Sequence, residues 1–198
     1  MTKSDTCESC GKTLVPMQCV SLGSQDGSYR DLCLGCGDAA MAEHLGADFE
    51  HSDFEPMTLV DASGVEHEFH FAIRFLGDRV SLDAFEMRND EPCGYQFNVL
   101  SFEPEGEPLE LFGTLLEKMR RGLAQRHLER DEDGMLCIAK PDVVRGMIDS
   151  DPDDDWETRM PVLVVDGQNV TWDQLGRMLL TYEGFQLKME IYDKSEER

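Results

Sequence analysis

Two Cys-x-x-Cys pairs stand near the start of this 198-residue chain, Cys7-Glu8-Ser9-Cys10 and Cys33-Leu34-Gly35-Cys36, and they constrain its fold more than any other feature. A tight turn inside each pair lets its two thiolates converge on one point. The glycines that follow, Gly11 and Gly37, relieve backbone crowding just past the second sulfur. Four thiolates meeting at one point need a cation between them. The chain has seven cysteines, an odd number, and no apolar run follows the charges of its first ten residues. Both facts argue against a secreted disulfide framework and for a reducing, cytoplasmic setting.

Between the pairs lie 22 residues that read as a hairpin: an arm over Lys12–Ser21, a turn at Ser24–Ser28, and a second arm over Tyr29–Leu32. The second pair then opens a short helix, Asp38–Leu45, ended by Gly46. Knuckle, hairpin, and a helix whose first turn supplies the last two sulfurs: this order over residues 7–46 resembles a treble-clef zinc finger, and the spacing also suits a plain zinc ribbon. The resemblance implies one structural Zn²⁺ held by Cys7, Cys10, Cys33 and Cys36. A tetrahedral four-sulfur site selects zinc, with iron as the usual contaminant. A full sulfur shell leaves no open position for water, so the ion would be scaffold and not reagent. A segment of about 40 residues rarely holds a core unaided, so the metal would supply much of its folding energy.

The remainder reads as an acidic linker over 47–56 and one domain over 57–198. Met57–Val60 is a short strand and Asp61–Gly64 a turn. Val65, Phe69, Phe71, Ile73 and Phe75 then alternate with Glu66, Glu68, His70 and Arg74, the period of a half-buried strand. Val80–Met87 and Tyr95–Phe102 continue an antiparallel meander. Phe112, Leu115, Leu116, Met119 and Leu123 recur at helical spacing, with Glu107 and Glu110 near the start and Arg126, His127 and Arg130 near the end, as the helix dipole favours. Met135–Ala139, Val143–Ile148 and the wholly apolar Met160–Val165 read as strands. Thr171 and Gln174 fit a capping box, with Val170 and Leu175 as its hydrophobic staple. A stripe of Trp172, Leu175, Leu179 and Tyr182 follows, with Gly184 as the stop. Phe185, Leu187, Met189 and Ile191 alternate with Gln186, Lys188 and Glu190 as a final strand. The fold class expected is α+β: a treble-clef-like finger followed by a mainly antiparallel sheet packed with two main helices.

The other motifs lead nowhere catalytic. His67-Glu68-Phe69-His70 places its histidines three apart on a strand, hence on opposite faces, so it is not the metalloprotease helix motif; His67 belongs with the phenylalanines, as a core or rim histidine. The acidic run Asp149–Glu157 has Asp154 and Met160 where a calcium loop starting at Asp149 needs glycine and glutamate. Trp156 within it would anchor the loop or meet a partner. Cys19, Cys93 and Cys137 read as packing thiols. Lys118, Arg120, Arg121 and Arg126 form the one basic concentration, a solvated helix face or a local anion site.

Charge limits the partners. With 18 Lys+Arg against 41 Asp+Glu the formal charge is −23, and residues 1–50 hold Lys3, Lys12 and Arg30 against eight acids. A chain this acidic lacks the field that draws phosphate backbones or anionic lipid. No apolar run is long enough to span a membrane. The expected role is non-enzymatic: an adaptor or interaction protein with a structural zinc site and a protein partner, a basic surface being the kind its charge suits. A nucleic-acid-associated regulator acting through the finger, and an enzyme with a site in the α+β domain, are the alternatives. Oligomeric state is not legible.

Overall fold

The computed structural model describes residues 5–15, 17–23, 27–89, 91–103, 106–150 and 160–193. Its first unit is a hairpin that runs straight into a helix. Strand β1 (Cys19–Gly23) pairs antiparallel with β2 (Tyr29–Cys33), Cys19 opposite Cys33. Helix α1 (Leu34–Leu45) begins at the next residue and stops at Gly46, whose φ of 65° turns its N–H back onto the carbonyls of Ala42 and Glu43.

The central unit is an antiparallel meander of β3 (Met57–Val60), β4 (Glu66–Phe75), β5 (Val80–Arg88) and β6 (Glu91–Ser101), in that spatial order. The period-two pattern of β4 decides its faces. Phe69, Phe71, Ile73 and Phe75 lie with Leu82, Ala84 and Val99 against α2 (Pro108–Leu123), which buries Leu115, Met119 and Leu123 on them. Helix α2 has Pro108 at its first turn with Glu110, and Arg120 and Arg121 in its last turn. Gly122 lets it approach the sheet, since a Cβ there would sit 2.6 Å from the Phe97 ring.

The finger packs on the central unit at several points. Leu34 packs with Ala72 and Phe85, Gln18 Nε2 donates to the Phe71 carbonyl at 2.9 Å, and Asp38 Oδ1 accepts the Phe75 N–H at 2.9 Å. Residues 47–56 form no helix or strand, but Phe49 stacks on Phe75 and Phe54 on Phe112, with ring centroids 4.8 Å and 4.6 Å apart. His51 Nδ1 lies 2.7 Å from Asp38 Oδ2, tying this stretch to α1.

The C-terminal part has a core of its own. β7 (Leu128–Arg130) pairs with β8 (Leu136–Ile138), and β9 (Met147–Ser150), β10 (Pro161–Val165) and β11 (Gln168–Val170) form a sheet ordered β11-β10-β9. Helix α3 (Trp172–Leu179) and a 3-10 turn (Leu180–Tyr182) follow. The capping box is present, with the Gln174 N–H donating to Thr171 Oγ1 at 3.3 Å and the Thr171 N–H to Gln174 Oε1 at 2.8 Å. Leu128, Val165, Val170, Leu175 and Met178 form this second core. The chain is thus α+β, and among the described residues no helix is long and apolar enough to cross a membrane.

Four local expectations are corrected. The first hairpin arm starts at Cys19, because Met17 takes a left-handed φ of 67° that breaks the alternation through Val15 and Met17. The strand expected over Val143–Ile148 is shifted to Met147–Ser150: Gly146 abuts β10 so closely that a Cβ would lie 2.5 Å from the Val164 carbonyl oxygen. Helix α3 ends at Leu179, five residues before Gly184, and buries Leu175 and Met178, while Trp172 is partly exposed. Residues 185–191 form no strand. Alternation there creates a two-faced segment, but among the described residues nothing pairs with it, and Phe185, Leu187, Met189 and Ile191 are 59–77% exposed. Trp156, most of the acidic run and part of the expected turn at Ser24–Ser28 lie outside the described residues.

His67 is where the alternation places it, buried among the phenylalanines, with its Nδ1 3.0 Å from Glu86 Oε1. Burial pushes the Glu86 carboxyl up. His67, the Tyr95 N–H at 3.1 Å and Arg88 at 2.6 Å outweigh it, holding the group below the ordinary value of 4.5. A depressed folded value means that this stabilisation is complete above the unfolded value and is lost as pH falls through the folded one. Glu86→Gln is expected to lower stability at pH 7 by about 1–3 kcal/mol and to flatten the acid side of the stability curve, read by thermal denaturation from pH 7 to 3. Leu115→Ala, which empties a fully buried position, is expected to cost about 2–5 kcal/mol in denaturant unfolding.

Candidate metal centre

Three local devices deliver the four sulfurs. The first pair sits on a knuckle closed by the Cys7 N–H to the Lys12 carbonyl and the Gly11 N–H to the Cys7 carbonyl, both at 2.8 Å. A bridge between Thr6 and Thr13 holds the base of the knuckle. Gly11 has φ of 75°, so the turn needs a residue at ease in the left-handed region. Cys33 ends β2 and is the N-cap of α1, and Cys36 lies in the helix's first turn, where the dipole favours negative charge. Gly37 serves a different end from Gly11: a Cβ would fall 2.4 Å from Val20 Cγ1, so glycine lets α1 lie against β1.

The four sulfurs of Cys7, Cys10, Cys33 and Cys36 all lie within 4.8 Å of one another. A tetrahedral ion with metal–sulfur bonds of about 2.3 Å requires sulfur–sulfur edges of about 3.8 Å. Cys10 Sγ and Cys33 Sγ are already 3.7 Å apart. The group is therefore close enough to hold one metal ion, with a small contraction along its longer edges. The sequence's four site residues come together as one cluster. Cys19, opposite Cys33 in the hairpin, is not part of it, and neither are Cys93 and Cys137.

Without a cation the cluster is electrostatically frustrated. Burial disfavours a Cys7 thiolate, but backbone hydrogen bonds from Cys10, Cys33 and Ser9 outweigh it and draw the group down to about 6. Cys33 goes the other way, pushed up to about 12 by burial and by neighbouring thiols. Cys36 is raised too: a hydrogen bond with the Ser9 side chain favours its thiolate, but burial and the sulfurs of Cys10 and Cys7 prevail. In the metal-free arrangement backbone N–H groups thus favour a thiolate at Cys7, while Cys33 and Cys36 favour the thiol. A divalent ion would ionise the whole set, so loading releases protons.

Removing one ligand should undo the unit. Cys7→Ser and Cys36→Ser are each expected to abolish stoichiometric metal by elemental analysis. NMR should show the amides of the hairpin and α1 losing protection while those of β4–β6 and α2 keep theirs. If both variants retained the metal, the ligand assignment would be wrong.

Comparison with known proteins divides the chain into three stretches, each similar to a domain of unknown function: DUF7685 over residues 6–48, DUF7686 over 50–124 and DUF7713 over 127–196. The first contains all four cysteines together with the hairpin and α1, the second the meander and α2, and the third the smaller sheet, α3 and the segment after it. No curated protein and no solved structure matches the chain.

Proposed function

We propose that the chain is a non-catalytic zinc protein whose ion is structural and whose work is contact with another protein. The four-sulfur cluster carries the first half of this reading. Sulfur-only donors at tetrahedral distances favour zinc among the available divalent ions, and four protein ligands complete its shell. The succession of knuckle, hairpin and helix supports a treble-clef finger.

The segment after Gly184 supports the second half. Phe185, Leu187, Met189 and Ile191 offer a row of apolar side chains, while Lys188 and Glu190 pair with each other at 2.7 Å on the alternate positions. A segment with alternating apolar positions, outside any strand, suits a partner that presents an open sheet edge, where main-chain hydrogen bonds give affinity and alternate side chains fill pockets. The acidity of the chain favours a partner with a basic rim. The reading of the finger as a nucleic-acid binder lacks the positive charge it would require.

Two measurements test this. Protein purified without chelators should carry one zinc per chain by elemental analysis; iron or no metal would overturn the first half. Affinity capture with the intact chain and with a Leu187→Asp/Ile191→Asp variant should differ by a specific protein that the variant fails to retain. Identical captured sets would overturn the second half.

A further inference from the structure

A polar cavity of about 240 Å³ opens where the central and C-terminal units meet. Its wall includes Asp61 from the β3–β4 turn, Tyr95 from β6, Arg126, Glu129 and Arg130 from the segment after α2, and Asp166 from the β10–β11 turn. Charges of both signs thus face one small space. Among the described residues neither arginine pairs with a carboxylate; their hydrogen bonds go to main-chain carbonyls, Arg126 Nε to Leu128 at 2.8 Å and Arg130 Nη1 to Gly134 at 2.9 Å. The carboxylates are held in the same way. Asp61 Oδ1 accepts the N–H groups of Ser63 and Val65, both at 2.8 Å, and Asp166 Oδ2 accepts those of His127 and Leu128, both at 2.7 Å. The main chain therefore fixes each charge while leaving Asp166 Oδ1 and the remaining guanidinium N–H groups without hydrogen-bond partners among the described residues; Asp61 Oδ2 has His67 Nε2 at 3.4 Å.

The support behind this wall is also built. His67 is buried between two carboxylates, its Nδ1 3.0 Å from Glu86 Oε1 and its Nε2 3.4 Å from Asp61 Oδ2, so it braces the Asp61 side of the wall from behind. Gly167 closes the far side against Tyr95, where a Cβ would come within 2.8 Å of the ring. The Tyr95 hydroxyl has no hydrogen-bond partner among the described residues.

We propose that this cavity is a binding site for a free α-amino acid, its carboxylate taken by Arg126 and Arg130 and its ammonium by Asp61 and Asp166. A simple anion would meet three carboxylates there, and a simple cation two guanidinium groups. A ligand carrying one charge of each sign finds partners for both. The volume is below the roughly 300–1,000 Å³ typical of pockets for drug-sized ligands, which limits the occupant to about the size of one amino acid.

The test uses the full chain and isothermal titration with each of the twenty standard L-amino acids, then with the N-acetylated and C-amidated forms of the tightest. At least one amino acid is expected to bind saturably below millimolar concentration, and each blocked form at least tenfold more weakly. Arg126→Gln, at an exposed position, should weaken binding at least tenfold with an unchanged melting temperature; Tyr95→Phe, which removes one hydroxyl, should weaken it by a smaller factor and serves in its place if the first variant does not fold. Failure of all twenty to bind, equal binding of the blocked forms, or undiminished binding by the variants would overturn the proposal.

Discussion

Four sulfur atoms gathered within 4.8 Å of one another, close enough to share one ion, stand in a segment that has little else to fold around. Before residue 47 the fully buried apolar side chains are Cys7, Leu32, Leu34 and Ala42 among the described residues. Two of these, Leu34 and Ala42, are buried against the central unit and not within the finger. What remains cannot offset the conformational entropy of some forty ordered residues, at about 1–2 kcal/mol each for the backbone alone. A metal ion held between the knuckle and the start of α1 would supply that deficit. Only with α1 so placed can Leu34 cover Ala72 and Phe85, and Asp38 receive both the Phe75 N–H and His51. The four-sulfur cluster thus sits where a bound ion would order the finger and, through it, the contacts that Leu34 and Asp38 make with the sheet.

What could be read from the sequence follows from how local the determining physics is. The cysteine pairs, the aromatic alternation of β4, the stripe on α2 and the capping box before α3 all depend on residues within a few positions of one another, and each is found where expected. The hairpin turn at Asp166-Gly167 carried a readable signal as well: both residues have positive φ, at 49° and 68°, the requirement of a tight two-residue turn and the reason Asp-Gly suits it. The strand that follows it, β11, is only three residues long and carries no alternation of its own. The cavity lay beyond the reach of pattern, because its wall is assembled from turns and strands more than a hundred residues apart. Residues 185–191 show the converse: a complete strand pattern without a strand, since alternation specifies two faces but not a neighbour to pair with.

The same distinction explains the polar groups buried on the sheet. Asp83, Ser81 and Asn98 lie under the finger's side of the meander, with Asn98 Nδ2 donating to Asp83 Oδ1 and to Ser81 Oγ, both at 2.8 Å, and Arg74 paired with Asp83. Apolar residues of similar volume would often be at least as stable at such a site. The network is not even fully satisfied, for Asn98 Oδ1 has no hydrogen-bond partner among the described residues. Its effect is on geometry. Arg74, held by Asp83, donates through Nη2 to the Met17 carbonyl at 2.6 Å, the residue whose left-handed backbone turns the chain into β1. An apolar patch would hold the finger against the sheet in many registers. A directed guanidinium hydrogen bond to one carbonyl selects a single register, and it selects the one in which the start of α1, and with it Cys33 and Cys36, lies where the knuckle can meet it.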